Sequence, residues 1–347
     1  MATSNLIVGS RVIATEAGLS LFTFDESTGQ LTLCGSYTGI DMPTFQAFNK
    51  RASLLYSVSE VQGKEGSVQT FHFDPLSSEP FTFSGSILSG GISPCHLALS
   101  PNGEYLAVSN YGDGVFTLYA LDPLGNIASV ASCKRFVGVG HNPSRQEGSH
   151  IHSALWTSDS KNLFVADLGL DRILFYSRPE WSFPSFKKVP LGTGPRHMAL
   201  SSDSQYLYVA GELSNHVVVY RIDKFDSCFT LLQTIATLPS EFLLESTVAD
   251  IHLSSDNQYL YCSNRGHDSI VTYAVNSETG MLTFVSYTPT LGQEPRNFTL
   301  SPSGTWLLVA NGSSDSVVVF PIDPYSGVPG VAVCTTEVKE PVCLLFP

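Results

Sequence analysis

The residues of this chain best suited to proton transfer and anion binding stand at equivalent places in a repeated strand–turn–strand pattern. Starts of the first strands supply His96, His150, His152, Arg196, His197, Asp250, His252, Arg296 and Asn297. Ends of the second strands supply Glu60, Asn110, Asp167, Glu212, Arg265 and Asn311. Histidines and carboxylates can exchange protons with a substrate, and guanidinium groups hold carboxylate or phosphate oxygens bidentately. The chain has only 18 Lys+Arg against 31 Asp+Glu, so arginines gathered at one rim point to a small anionic partner. The same residue types can also staple neighbouring strands. Asn110 and Asn311 fit turn shaping, and His96 and His252 fit structural roles. Strand alternation implies that only one of Arg196 and His197 faces the site.

The elements that position these residues recur along the chain. Pro195–Leu200, a polar turn and Tyr206–Ala210 read as a hairpin, followed by a third strand at His216–Tyr220. Equivalent hairpins start at Pro94 and Pro295, and further first strands are read at Pro43–Phe48, His150–Leu155, Val248–Leu253 and Pro341–Phe346. The spacing of copies, roughly 45 to 55 residues, suits a four-stranded blade. The second strand at Asn5–Ser10 has no first strand before it, and the one at Pro341–Phe346 has no second strand after it. The two orphans fit each other. The expected fold is therefore all-β, a seven-bladed β-propeller over residues 1–347 as a single domain, with the C-terminal strand closing blade 1. Because hairpin strands are antiparallel, both sets of polar residues would lie at one end of each blade, around the mouth of a central channel. Ser240–Glu245 suggests one short helical turn.

Composition narrows the partners. A net charge of −13 argues against nucleic acid and anionic membrane surfaces. The opening residues Met1–Asn5 lack a basic region followed by an apolar one, and no apolar run is long enough to span a bilayer. A cytoplasmic protein is expected, and a homo-oligomer is compatible with the sequence. The seven cysteines lack CxxC pairing and several, such as Cys95, Cys262 and Cys343, sit within strands, so reduced buried thiols are expected rather than a zinc site. The stretch Lys134–Ser149 is longer than a hairpin link, carries Arg145, Gln146 and Glu147, and leads into His150, so a lid beside the channel is expected.

Several segments together resemble a known family. They are Gln146–Ser153 (QEGSHIHS), Ala166–Arg172 (ADLGLDR), Gly194–His197 (GPRH), Glu212-Leu213, Asn264–Ile270 (NRGHDSI) and Glu294–Arg296 (EPR). They resemble the seven-bladed propeller lactonases, which include the propeller-type 6-phosphogluconolactonases and the fungal carboxy-cis,cis-muconate cyclase, and the likeness runs from about Ile7 to Leu345. In the cyclase a His, two Arg and a Glu are the proposed catalytic set. The resemblance places them on His152, Arg196, Glu212 and Arg265.

The implied function is hydrolysis of an anionic sugar lactone such as 6-phosphogluconolactone, with the cyclase reaction as the alternative. Hydrolysis needs an activated water, a stabilised oxyanion and a proton for the ring oxygen. Glu212 or His152 would serve as base, and Arg196 and Arg265 would hold the oxyanion or the anionic group. His150, Asp167, His197, Arg296 and Arg145 are the expected substrate-binding residues, with Asp167 able to orient a neighbouring histidine. No Gly-x-Ser-x-Gly elbow is present, and an arginine-rich rim favours a metal-independent, cofactor-free reaction. The rival from another class is a non-catalytic interaction propeller, but no Gly-His or Trp-Asp signature recurs from blade to blade.

Overall fold

The computed structural model describes residues 3–178, 180–223 and 228–347. Among them the strands form seven antiparallel four-stranded sheets. Six sheets take four consecutive strands in uncrossed order, and one takes the C-terminal strand Pro341–Leu345 beside Thr3–Ser10, followed by Leu19–Asp25 and Leu31–Tyr37. This is the expected all-β, seven-bladed β-propeller class, with the terminal strand completing blade 1. The first hairpins of the other blades pair Gln46–Asn49 with Leu54–Ser59 in blade 2 and Pro94–Leu99 with Tyr105–Asn110 in blade 3. Blade 4 pairs Ile151–Trp156 with Asn162–Asp167, and blade 5 pairs Pro195–Leu200 with Tyr206–Gly211. Blade 6 pairs Thr247–Leu253 with Tyr259–Arg265, and blade 7 pairs Pro295–Leu300 with Trp306–Asn311.

The second strands are buried on both faces: Leu54–Ser59 and Tyr206–Gly211 have no exposed residue. That explains their largely apolar runs, in contrast to outer strands such as Leu31–Tyr37, which has no buried residue. The chain packs as two compact units. One comprises residues 1–10, 21–34 and 197–346, the other residues 11–20, 35–196 and 347. In the first, Tyr208, Val217, Val219, Val271 and Tyr273 form a core of solvent-inaccessible side chains. In the second, Phe116, Leu118, Leu163 and Val165 do the same beside Trp156 and Trp181. Burying such a side chain contributes about 1.5–3 kcal/mol each.

The short helical turn expected at Ser240–Glu245 is a turn and loop instead, with Leu243 and Leu244 exposed at 90% and 76%. A lone turn of helix stabilises itself only by burying a face, and this segment buries none.

Candidate active site

A one-residue slip in register decides which polar side chains are turned out of the sheets. In blade 3 Pro94 faces Asn110 but His96 faces Ser109. In blade 4 Ile151 faces Asp167 but Ser153 faces Ala166, and in blade 7 Pro295 faces Asn311 but Asn297 faces Ala310. The residues that the register skips are Cys95, His152 and Arg296. Blade 1 repeats the slip around Val342. A bulge of this kind bends the strand and re-aims the extra side chain. Arg196 stands in the same Pro-Arg context as Arg296, and it is 2% exposed.

Local chemistry sets up the slip. The residue before each first-strand proline is left-handed at Met42, Ser93, Gly194, Glu294 and Glu340, consistent with the bar on right-handed helical conformation before proline. Turn aspartates lock it from the preceding blade. Asp171 accepts from the Gly194 N–H at 2.8 Å, Asp268 from Glu294 at 2.9 Å and Asp315 from Glu340 at 2.8 Å.

The residue after each bulge ties its blade to the next. The Phe45 ring lies 4.1 Å from that of His96. Ser153 Oγ donates to the Arg196 carbonyl at 2.5 Å. His197 Nδ1 donates to Asp250 Oδ1 at 2.6 Å, Asn297 Nδ2 donates to Asp250 Oδ2 at 2.5 Å, and the Leu344 N–H donates to Asn297 Oδ1 at 2.7 Å. His252 Nε2 adds a donor to Asp250 at 2.9 Å. Burial alone would raise the Asp250 pKa, but His252 and His197 outweigh it and hold the carboxyl well below its usual range. Burial works against the charged form of His252, yet Asp250 raises its pKa above the ordinary histidine value.

A second pair of adjacent positions closes the hairpin. Asn110 and Asn311 end their second strands and Asn264 is next to last in its own, all three in full burial. Their amides donate to the carbonyls of Val115 at 3.1 Å, Thr237 at 2.8 Å and Thr290 at 3.1 Å. These asparagines shape the turn. The residue that follows is Tyr111, Arg265 or Gly312, and in blade 5, where Gly211 replaces the asparagine, it is Glu212. The buried Glu212 meets the partly buried Arg265 as an ion pair between blades 5 and 6, Oε2 to Nη2 at 3.2 Å, with Arg265 also donating to the Val248 carbonyl at 3.2 Å.

Blade 4 carries a different cluster. Asp167 is fully buried and accepts from Ser149 Oγ at 2.9 Å, the His150 N–H at 3.1 Å and Arg172 Nε at 3.0 Å. Burial raises its pKa against the pull of Arg172. The bond to His150 orients that residue's backbone rather than its ring. The ring stacks on Tyr111 at 4.4 Å, and Tyr111 meets His152 edge-on at 5.5 Å. Arg145 Nη2 donates to Tyr111 Oη at 3.4 Å.

The stretch expected to be a lid is pinned. Gln146 is inaccessible to solvent, donates to the Leu168 carbonyl at 2.8 Å and accepts from the Asn142 N–H at 2.8 Å. Gly169 sits so close beneath the segment that a Cβ there would lie 1.8 Å from the Gly148 carbonyl. The loop is a wall.

The family model described as "Lactonase, 7-bladed beta-propeller" matches residues 5–346. The chain belongs to this family. Among curated relatives, a 6-phosphogluconolactonase of Bacillus subtilis is 30% identical over 98% of this chain and 97% of its own length. Another from Formosa agariphila is 32% identical over 89% and 90%. Of the solved structures, the periplasmic gluconolactonase of Pseudomonas aeruginosa superposes with a TM-score of 0.90 at 30% identity, covering all of both chains.

For a member of the propeller lactonases the arrangement sorts the candidates. Glu212 and Arg265 come together directly. His150, His152 and Arg145 come together around Tyr111. His152 and Arg296 hold bulge positions, and Arg196 matches them in sequence. His197 sits one residue after the bulge context, bonded to Asp250, and Asp167 ends its second strand, bonded to Arg172. Sequence reasoning missed Tyr111, which registering the copies on Asn110, Asn264 and Asn311 would have aligned with Arg265. Two clefts of about 440 and 630 Å³ open at the other end of the hairpins, beside Asn102 and Asp203 respectively, and are lined by none of the candidates. Among the described residues no three His, Cys, Asp or Glu side chains are grouped to hold a metal ion.

Proposed function

We propose that the protein hydrolyses an anionic sugar lactone such as 6-phosphogluconolactone at the mouth of the propeller channel, without a metal. The observation that carries this reading is the Glu212–Arg265 pair in a chain of the lactonase family. A carboxylate beside a guanidinium offers a proton acceptor next to a fixed positive charge, which the addition of water to a lactone requires. Water adds to the carbonyl carbon as Glu212 accepts its proton. Arg265 stabilises the charge on the carbonyl oxygen or on the substrate's anionic group. The acyl–oxygen bond of the ring then breaks, and the proton passes to the departing ring oxygen, leaving a hydroxy acid. The family resemblance adds His152 and Arg196 to this chemistry, His152 for proton transfer and Arg196 for anion binding, with Arg296 at the equivalent bulge as a further anion contact. Curated relatives named 6-phosphogluconolactonase support the phosphorylated substrate.

The test is acid release from freshly prepared 6-phosphogluconolactone, followed against the spontaneous rate with and without a chelator. Acceleration that survives chelation is expected, and no acceleration with any phosphorylated or carboxylated lactone would sink the reading. Ring closure of a muconate, followed by loss of diene absorbance, would show the cyclase reaction instead. Cytoplasmic location and action as a single domain over residues 1–347 belong to the same proposal. Cell fractionation and a single cooperative unfolding transition test them.

A further inference from the structure

Tyr111 follows the buried Asn110 at the end of the second strand of blade 3, the position that Arg265 holds after Asn264 in blade 6. That position places its ring among three polar side chains. His150 stacks on it, with ring centroids 4.4 Å apart and planes 15° from parallel. His152 meets it edge-on, at 5.5 Å and 80°. Its hydroxyl accepts from Arg145 Nη2 at 3.4 Å. The Tyr111 carbonyl faces His150 Nδ1 at 2.8 Å, and because a carbonyl only accepts, that nitrogen carries the proton. His150 Nε2 lies 3.2 Å from Glu147 Oε1. One aromatic ring therefore contacts both histidines, and its hydroxyl reaches the loop arginine. The loop has little freedom to rearrange, since Gln146 pins it from beneath.

We propose that Tyr111 is a positioning residue of this site, holding the His152 imidazole at the angle proton transfer needs and setting the Arg145 guanidinium for the substrate's anionic group. What His152 and Arg145 do rests on the lactonase reading. What Tyr111 holds rests on the geometry. An imidazole free to rotate about its side-chain bonds would present its nitrogen to the reacting atoms only part of the time, and misplacement of about 1 Å can cost on the order of a hundredfold in rate.

Two variants test this, each read by kinetics and by NMR of the imidazole rings. Tyr111→Phe keeps the ring and removes the hydroxyl. The histidine resonances should stay in place, kcat should hold within about twofold, and KM for a phosphorylated lactone should rise roughly three- to tenfold. Tyr111→Leu removes the ring. The resonances of both histidines should move, the pH–rate profile should shift, and kcat should fall about ten- to a hundredfold. Unmoved His152 resonances in Tyr111→Leu, or a kcat that falls only in step with the folded fraction at an unmoved pH profile, would overturn the proposal. If Tyr111→Leu does not fold, an unchanged KM in Tyr111→Phe overturns it. Should the wild-type protein hydrolyse no lactone, the functional reading fails, and the resonances of the leucine variant still decide whether Tyr111 holds His152.

Discussion

Two carboxylate–arginine pairs of similar length, each with a buried carboxylate, stand at different places in the hairpin. Asp167 and Arg172, 3.0 Å apart, lie five residues apart within blade 4. Glu212 and Arg265, 3.2 Å apart, join different blades. Asp167 ends its strand, in the position Asn110 and Asn311 fill elsewhere, and takes hydrogen bonds from the loop before it and the turn after it. Glu212 stands one residue further on, just past its strand, in the place held by Tyr111 in blade 3 and by Arg265, the last residue of its strand, in blade 6. The same chemistry at the last strand residue organises a turn, and one residue later it offers a proton acceptor beside a guanidinium. On the proposed function, position within the hairpin, more than residue type, separates structure from catalysis.

The sharpest way to break that contrast is Glu212→Gln. The amide keeps the shape and can still accept from Arg265, but it cannot take a proton. We expect kcat to fall by on the order of 10² to 10⁴ while the melting temperature moves little. Turnover at the wild-type rate would remove Glu212 from the catalytic set. Asp167→Asn should do the reverse. Leaving the partly buried Arg172 without its anion costs less than the roughly 3–5 kcal/mol of a fully buried pair, so the melting temperature should drop by several degrees. Activity per folded molecule should persist. Equal loss of turnover in both variants, corrected for folded fraction, would erase the distinction.

The same comparison shows what could be read from the chain. Blade number and terminal closure were legible because strand periodicity and turn residues repeat, and because two unmatched strands needed each other. The choice between neighbours was not. A bulge shifts register by one residue, and one residue reverses a side chain's face. Arg196 and His197 look equally polar in sequence, yet His197 is bonded to Asp250 while Arg196 occupies the bulge context. Tyr111 escaped notice because an aromatic residue reads as core until its register with Arg265 is seen. The loop before His150 reads as a lid from its length alone, whereas Gln146 holds it down through contacts distant in sequence, such as the Leu168 carbonyl.

The staple of blades 5 to 7 makes a pH prediction of intermediate size. Asp250 has its pKa lowered on folding, so its contribution is present above the unfolded carboxylate value of about 3.9 and is lost as pH falls through the folded value. His252 has its pKa raised, so its contribution is present below the unfolded value of about 6.5 and is lost as pH rises through the folded one. Asp250→Asn removes both. The difference in melting temperature between wild type and variant should be widest between roughly pH 4 and 6.5 and narrow on either side. A difference independent of pH would show that Asp250 acts by hydrogen bonding alone.

The smallest expected effects sharpen the contrast most finely, because they compare one position in two blades. Asn264 and Asn311 pair with the equivalent first-strand residues Val248 and Pro295, both are fully buried, and both donate to the carbonyl of a neighbouring segment. Replacing either by Ala leaves that carbonyl without its donor and should cost about 1–3 kcal/mol. The residues that follow differ. Gly312 has no side chain to misplace, whereas Arg265 carries a guanidinium that must stay on Glu212 and the Val248 carbonyl. Asn311→Ala should therefore lower the melting temperature with kcat and KM unchanged. Asn264→Ala should lower it by a similar amount and also raise KM, because Asn264 anchors the strand next to Arg265. Thermal melts and full kinetic curves on the two proteins separate the outcomes. Identical kinetics in both variants would mean that the turn asparagine and the residue after it are independent, and the one-residue division between structural and catalytic positions would have to be drawn elsewhere.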